Sequence, residues 1–194
     1  MRFAAPASLL AATLLSACAS SASDPVARKA AALERFPETI EAGIARAESL
    51  EACSSLQSHE IVRKPRTDGR IPPTLKTSCV PKYPDDLQAL GFVSKCTSTF
   101  DIDPAGVPVN LSATCDTWND GMIDDPEPLT PIANAMFETV ASKAVEAMRF
   151  VPLEEDVEGA TRIGIAQPFN FAFEGQSRTR DEQADTVAEG GSPE

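Results

Sequence analysis

The stretch KCTSTFDIDPAGVPVNLSATC, Lys95 to Cys115, decides how this chain folds. Cys96, Ser98, Phe100 and Ile102 alternate with Lys95, threonines and Asp101, the period-two pattern of a half-buried strand. Val107, Val109, Leu111, Ala113 and Cys115 repeat the pattern after a break at Asp103-Pro-Ala-Gly106, which has proline second and glycine fourth, as in a type I turn. The two strands read as a β-hairpin. Burying one face sets the register: Phe100 opposite Leu111 and Ile102 opposite Val109, which places Cys96 opposite Cys115. Directly opposed residues have Cβ atoms about 4.5–5.5 Å apart, close enough for a disulfide after small adjustment.

The other cysteines extend this reading. Downstream of Cys18 there are four, Cys53, Cys79, Cys96 and Cys115. An even set in an exported chain implies two disulfides with three possible connectivities. The hairpin register selects Cys96–Cys115 and leaves Cys53–Cys79, each worth about 2–4 kcal/mol in the chain-entropy picture. Zinc is the competing use of these thiols, but no two form a C-x-x-C pair and His59 is the only histidine.

The N-terminus is expected to be an export signal. Arg2 supplies a positive start, and Phe3 to Leu15 is apolar yet shorter than the about 20 residues a bilayer span needs. Leu15-Ser16-Ala17-Cys18 fits a lipobox, an aliphatic residue and two small ones before the cysteine that takes the diacylglycerol. An ordinary cut after Ala17 or Ala19 is the alternative. With the lipobox, residues 1–17 are a lipoprotein signal peptide, and the mature chain starts at a lipidated Cys18 that holds it to the membrane. Ala19, in place of an aspartate retention signal, points to the outer membrane of a Gram-negative envelope, with the protein facing the periplasm. The net charge of −12 becomes −13 once Arg2 is lost, which repels nucleic-acid phosphates and excludes nucleic acid as partner.

Residues 18–78 are expected to hold the lipidated cysteine, an Ala/Ser tether, a helix from Asp24-Pro25 to about Phe36, a second from Glu38 to about Leu56, and a basic proline-rich linker. Residues 79–174 form the domain, and 175–194 a disordered acidic tail. Within the domain, Pro84 to Gly91 is a short helix. A longer helix starts at Thr130-Pro131, with Ile132, Met136, Val140, Ala144 and Met148 inward and Glu138, Lys143, Glu146 and Arg149 outside. The last strand has Ile163, Ile165, Phe169, Phe171 and Phe173 on one side and Gly164, Ala166, Asn170 and Ala172 on the other. Pro168 assigns it to a sheet edge. The fold class is α+β, a small three-stranded antiparallel sheet with helices in the order α-β-β-α-β, preceded by an N-terminal helical region.

Pro81-Lys-Tyr-Pro84, the hairpin FDIDPAGVPVN, AVEAMRFVP from Ala144 to Pro152, and the aromatic last strand together resemble the TonB C-terminal domain over about residues 79–174. Cys79, Cys96 and Cys115 resemble a cysteine-bearing subgroup of that family. Ser94 stands where the family usually has glycine, Met148 where it has tryptophan, and the loop 116–128 is long. The resemblance implies a protein that binds envelope proteins, outer-membrane transporter N-terminal segments among them, by pairing a strand edge with an extended segment. Here that edge is Ile163, Gly164, Ile165, Ala166, Gln167, Phe169, Asn170 and Phe171, whose apolar side chains also serve simply as core. A homodimer stays open. Two other readings remain: a component of energy-dependent transport, and a structural envelope lipoprotein without a transporter ligand.

Nothing points to an enzyme, a cofactor or a metal. The acidic loop DTWNDGMIDDPE places Asp120, Gly121 and Glu127 at EF-hand positions from Asp116, but Trp118 occupies a ligand position. There is no nucleophile elbow and no phosphate-cradling loop. The anchor reading predicts that palmitate label enters the wild-type protein and is lost in Cys18→Ala; label persisting in the variant overturns it.

Overall fold

Helix α4, Thr130–Ala147, is the element around which the chain packs. The sequence expects one apolar stripe, but Ala133, Phe137, Ala141 and Val145 are buried together with Ile132, Met136, Val140 and Ala144. The helix is covered on two sides, by a sheet and by a second helix. The structure, a computed structural model, describes residues 24–59, 71–156, 158 and 160–173. Cys18 with its signal segment and tether, most of the basic linker, and the acidic tail lie outside them.

The N-terminal helices are α1, Pro25–Arg35, and α2, Ile40–Ser49, each opened by a side-chain cap, Asp24 to the Val26 N–H and Thr39 to the Ala42 N–H. Helix α2 stops seven residues earlier than the periodicity suggests. Leu50 takes an extended conformation, and Cys53–Ser58 forms strand β1, antiparallel to β2, Leu75–Pro81. Serines at 54, 55 and 58 weaken a helix and suit an exposed strand. Strand β2 therefore takes up the end of the segment expected to be linker and runs across position 79. The Cys53–Cys79 disulfide, Cα to Cα 5.4 Å, ties the two strands.

Helix α3, Asp85–Ala89, leads through Gly91 (φ +75°) into β3, Phe92–Ile102, and the hairpin returns as β4, Pro108–Asn119. After α4 come β5, Arg149–Phe150, and β6, Ile165–Phe171. The described residues are thus α+β with two antiparallel three-stranded sheets, β1-β2-β5 and β4-β3-β6. The second matches the expected sheet. The first is an addition that sequence reading missed, because β1 is exposed and β5 has only two residues.

The N-terminal helices are fastened to this body by polar contacts around small residues. Asp86, 5% exposed, accepts from Arg35 of α1 at 3.2 Å and also from Arg46 of α2. Lys143 of α4 donates to the Ala47, Glu48 and Leu50 carbonyls at the end of α2, supplying acceptors' partners that the helix itself cannot. Gly43 lets α2 approach α4, since a Cβ there would lie 2.8 Å from the Ile132 Cγ2.

At the hairpin turn, Gly106 has φ +86° and a Cβ would lie 2.2 Å from the Phe150 carbonyl oxygen; the Phe150 N–H donates to the Gly106 carbonyl at 2.8 Å. Gly121 has a similar φ of +77° but open space around it. Gly106→Ala should therefore cost about 3 kcal/mol or more, against about 1–2 kcal/mol for Gly121→Ala, which meets only the backbone penalty. Urea unfolding of both variants checks this; equal losses would show that the approach of Phe150 is not a constraint.

Candidate binding edge

The site is built on β3, whose even-numbered residues Ser94, Cys96, Ser98, Phe100 and Ile102 face the core while Lys95, Thr97 and Thr99 are exposed. Along a strand, side-chain direction and the lateral direction of N–H and C=O alternate together. One fixed hydrogen-bond direction therefore orients the whole sheet.

The disulfide supplies it. Cys96 stands opposite Cys115, as the register predicts, and the two are bonded with Cα atoms 4.0 Å apart. Such proximity belongs to a non-hydrogen-bonded pair, for which about 4.5 Å is usual against about 5.5 Å for a bonded one. The Cys115 N–H points away from β3 and donates to Glu138 Oε1 of α4 at 3.2 Å. Glu138 also accepts from Asn134 Nδ2, Asn134 Oδ1 from Thr117, and Thr117 contacts buried Ser94. At Cys115 the outer edge of β4 is thus met by its own helix. Glu138 belongs to the positions expected to face outward; its role depends on how α4 lies over β4, which periodicity does not encode.

Because Cys96 turns its backbone away from β4, it turns it towards β6, where it pairs with Phe169. Gln167, Phe169 and Phe171 then bond inward to β3. Ala166, Pro168 and Asn170 present their backbone to the open side. The Ile102 N–H, of the same parity as Cys96, donates towards this side to the Arg162 carbonyl at 2.7 Å. Pro168 does lie on an edge strand, and its missing N–H faces outward. Its carbonyl accepts from the Gln167 Nε2 at 3.0 Å. The middle of the edge offers no donor and an acceptor already engaged, flanked by Ala166 and Asn170.

The eight residues expected to form this edge are not all in the strand. Ile165 to Phe171 are, with Phe169 and Phe171 buried and Ile165 half-buried. Ile163 is 78% exposed and does not continue the buried face, and Gly164 takes φ +64° ahead of the strand. The Gly164 N–H donates to Asp101 Oδ1 at 2.8 Å, and Asn110 Nδ2 donates to Asp101 Oδ2 at 2.9 Å. Those bonds, Asn110's first, hold the Asp101 carboxyl below its ordinary range. Asn110, at φ +54°, sits where the β3–β4 register shifts. Thr99 still pairs with Ser112, but Asp101 pairs with Val109 and Ile102 with Pro108. The expected Ile102–Val109 pairing is thus displaced by one at a β-bulge.

Behind the edge lies an aromatic cluster. Tyr83 meets Phe137 and Phe171 edge-on at 5.6 and 5.7 Å and stacks with Phe173 at 5.8 Å; its hydroxyl donates to the Phe92 carbonyl. Burial pushes the phenol well above its ordinary value, so it stays a neutral donor. The cluster fixes the end of β6 in place.

Among the described residues no group of His, Cys, Asp and Glu is arranged to hold a metal ion, and no helix is long and apolar enough to cross a membrane. Hydrogen exchange tests the assigned directions: the Phe169 and Gln167 amides should be protected and those of Ala166 and Asn170 should exchange quickly. The reverse pattern would invert the edge. Compared with family models, curated proteins and solved structures, the chain finds no match.

Proposed function

We propose that this protein is a lipid-anchored, periplasm-facing envelope lipoprotein whose domain is TonB C-terminal-like and binds other envelope proteins by edge-strand pairing. The observation that carries this reading is β6, a strand bonded to β3 on one side and, among the described residues, without a strand partner on the other. Support for the family comes from the order α3-β3-β4-α4-β6, interrupted only by the two-residue β5, and from Tyr83, whose ring sits in the aromatic cluster under β6. In this reading the protein is a binder and not an enzyme. An extended N-terminal segment of an outer-membrane transporter would bond to Ala166 and Asn170 and pass Pro168 without a bond. Lipid at Cys18 would keep the domain at the outer membrane beside such partners.

Pro168 and Gln167 favour a second reading, because a blocked edge centre is a common defence against strand addition. In that case the chain is a structural envelope lipoprotein without a transporter ligand. A role in energy-dependent transport is the remaining alternative, and dependence of a transport phenotype on the proton-driven motor would reveal it.

Binding of transporter N-terminal peptides to the full chain separates the first two readings. Binding that weakens about tenfold in Ala166→Pro, by loss of an edge donor, and strengthens in Pro168→Val supports the binder. No binding in either the wild type or Pro168→Val favours the structural lipoprotein.

A further inference from the structure

Helix α1 buries only Ala32 of its eleven residues. Its inner face is Lys29, Ala32 and the C-cap Phe36, at helical spacing, with Lys29 half-buried and Phe36 buried. Phe36 stacks on Phe92 with ring centroids 6.2 Å apart, and Arg35 bonds to Asp86, so this side faces α3 and the start of β3. The opposite side is apolar and exposed. Val26 is 73% and Leu33 43% exposed, and Ala27 and Ala30 between them are exposed too. Pro25 to Leu33 contains no acidic residue; its charges are Arg28 and Lys29.

Two observations bear on what covers this face. The first is reach. Cys18 stands six residues before Asp24, the N-cap of α1, and six residues extend to about 20 Å at most. A lipid on Cys18 therefore keeps α1, itself about 16 Å long, beside the bilayer. An apolar face this small binds lipid weakly alone, but tethering makes the contact intramolecular, where a weak contact suffices. The second is charge. The chain carries −12, and anionic headgroups repel a surface of that sign. Arg28 and Lys29 face only Asp24 nearby in sequence, and that carboxylate is engaged in the cap by the Val26 N–H at 2.9 Å. This helix can approach headgroups without the penalty the rest of the chain meets.

We propose, on the footing of the Cys18 anchor, that the outer face of α1 is a membrane-docking surface that lies on a bilayer with anionic headgroups. Val26, Ala30 and Leu33 sit at the headgroup boundary, and Arg28 and Lys29 reach phosphates beside them.

The test uses the full lipidated chain in vesicles of phosphatidylethanolamine and phosphatidylglycerol, with a fluorophore on Ala30→Cys or, as control, on Ala105→Cys. Ala105 is exposed in the hairpin turn, at the other end of β3 from Phe92 and about 30 Å from it. An aqueous quencher should lose access to position 30 and keep it at position 105. In the unlipidated Cys18→Ala chain without vesicles, both positions should be quenched alike. Val26→Glu with Leu33→Glu should reopen position 30 in vesicles; Val26→Glu alone, at the more exposed site, serves if the double variant misfolds. Mass spectrometry of the wild type reports the lipid, and a chain without it overturns anchor and docking together. A lipidated chain in which position 30 is as open as position 105, or stays shielded in the glutamate variants, overturns the docking alone. So does shielding of position 30 in the Cys18→Ala chain in solution, because a second copy or another segment of this chain then covers the face.

Discussion

The larger sheet depends on the lateral direction of one backbone unit, that of Cys96. A strand residue cannot choose its side-chain face and its hydrogen-bond side independently. Once the core claims Phe100 and Ile102, and the disulfide requires Cys96 and Cys115 to be a close pair, every even-numbered residue of β3 is committed to β6. That commitment turns Pro168 outward, where its missing N–H leaves the β3–β6 ladder intact. It also leaves the Cys115 N–H needing an acceptor, which α4 provides through Glu138. Core packing, covalent chemistry and the fate of both sheet edges are thus consequences of a single parity.

Much of this was legible in the residues themselves. The hairpin and its disulfide follow from alternation and turn chemistry, both local signals, and the second disulfide follows by elimination. The end of α2 was not legible, because no proline or glycine stops the helix between Leu50 and Leu56 while the partner that makes 53–58 a strand lies across a long connection. Pairing with β2 decides that segment, and non-local pairing leaves little trace in a window of a dozen residues. The register slip at Asn110 was hidden for another reason: an asparagine in the left-handed region looks in sequence like any polar residue of an exposed face.

The edge at β6 was legible only in part. Pro168 marked an edge strand, but the orientation of its nitrogen and the use of Gln167 to occupy its carbonyl depend on register across three strands. The edge at β1 gave no signal, since serine, leucine and glutamine in a short exposed run resemble a loop.

The contacts of Lys143 affect the order in which the chain can complete itself. The carbonyls that this ammonium satisfies at the end of α2 lie 93 to 96 residues earlier in the sequence. A ten-residue helix is marginal alone in water, and this one is finished by a group that leaves the ribosome long after it. The C-terminal end of α2 therefore cannot be capped in this way until α4 is in place. Until α4 is present, α2 has neither the Lys143 ammonium at its C-terminal end nor the surface that Gly43 fits.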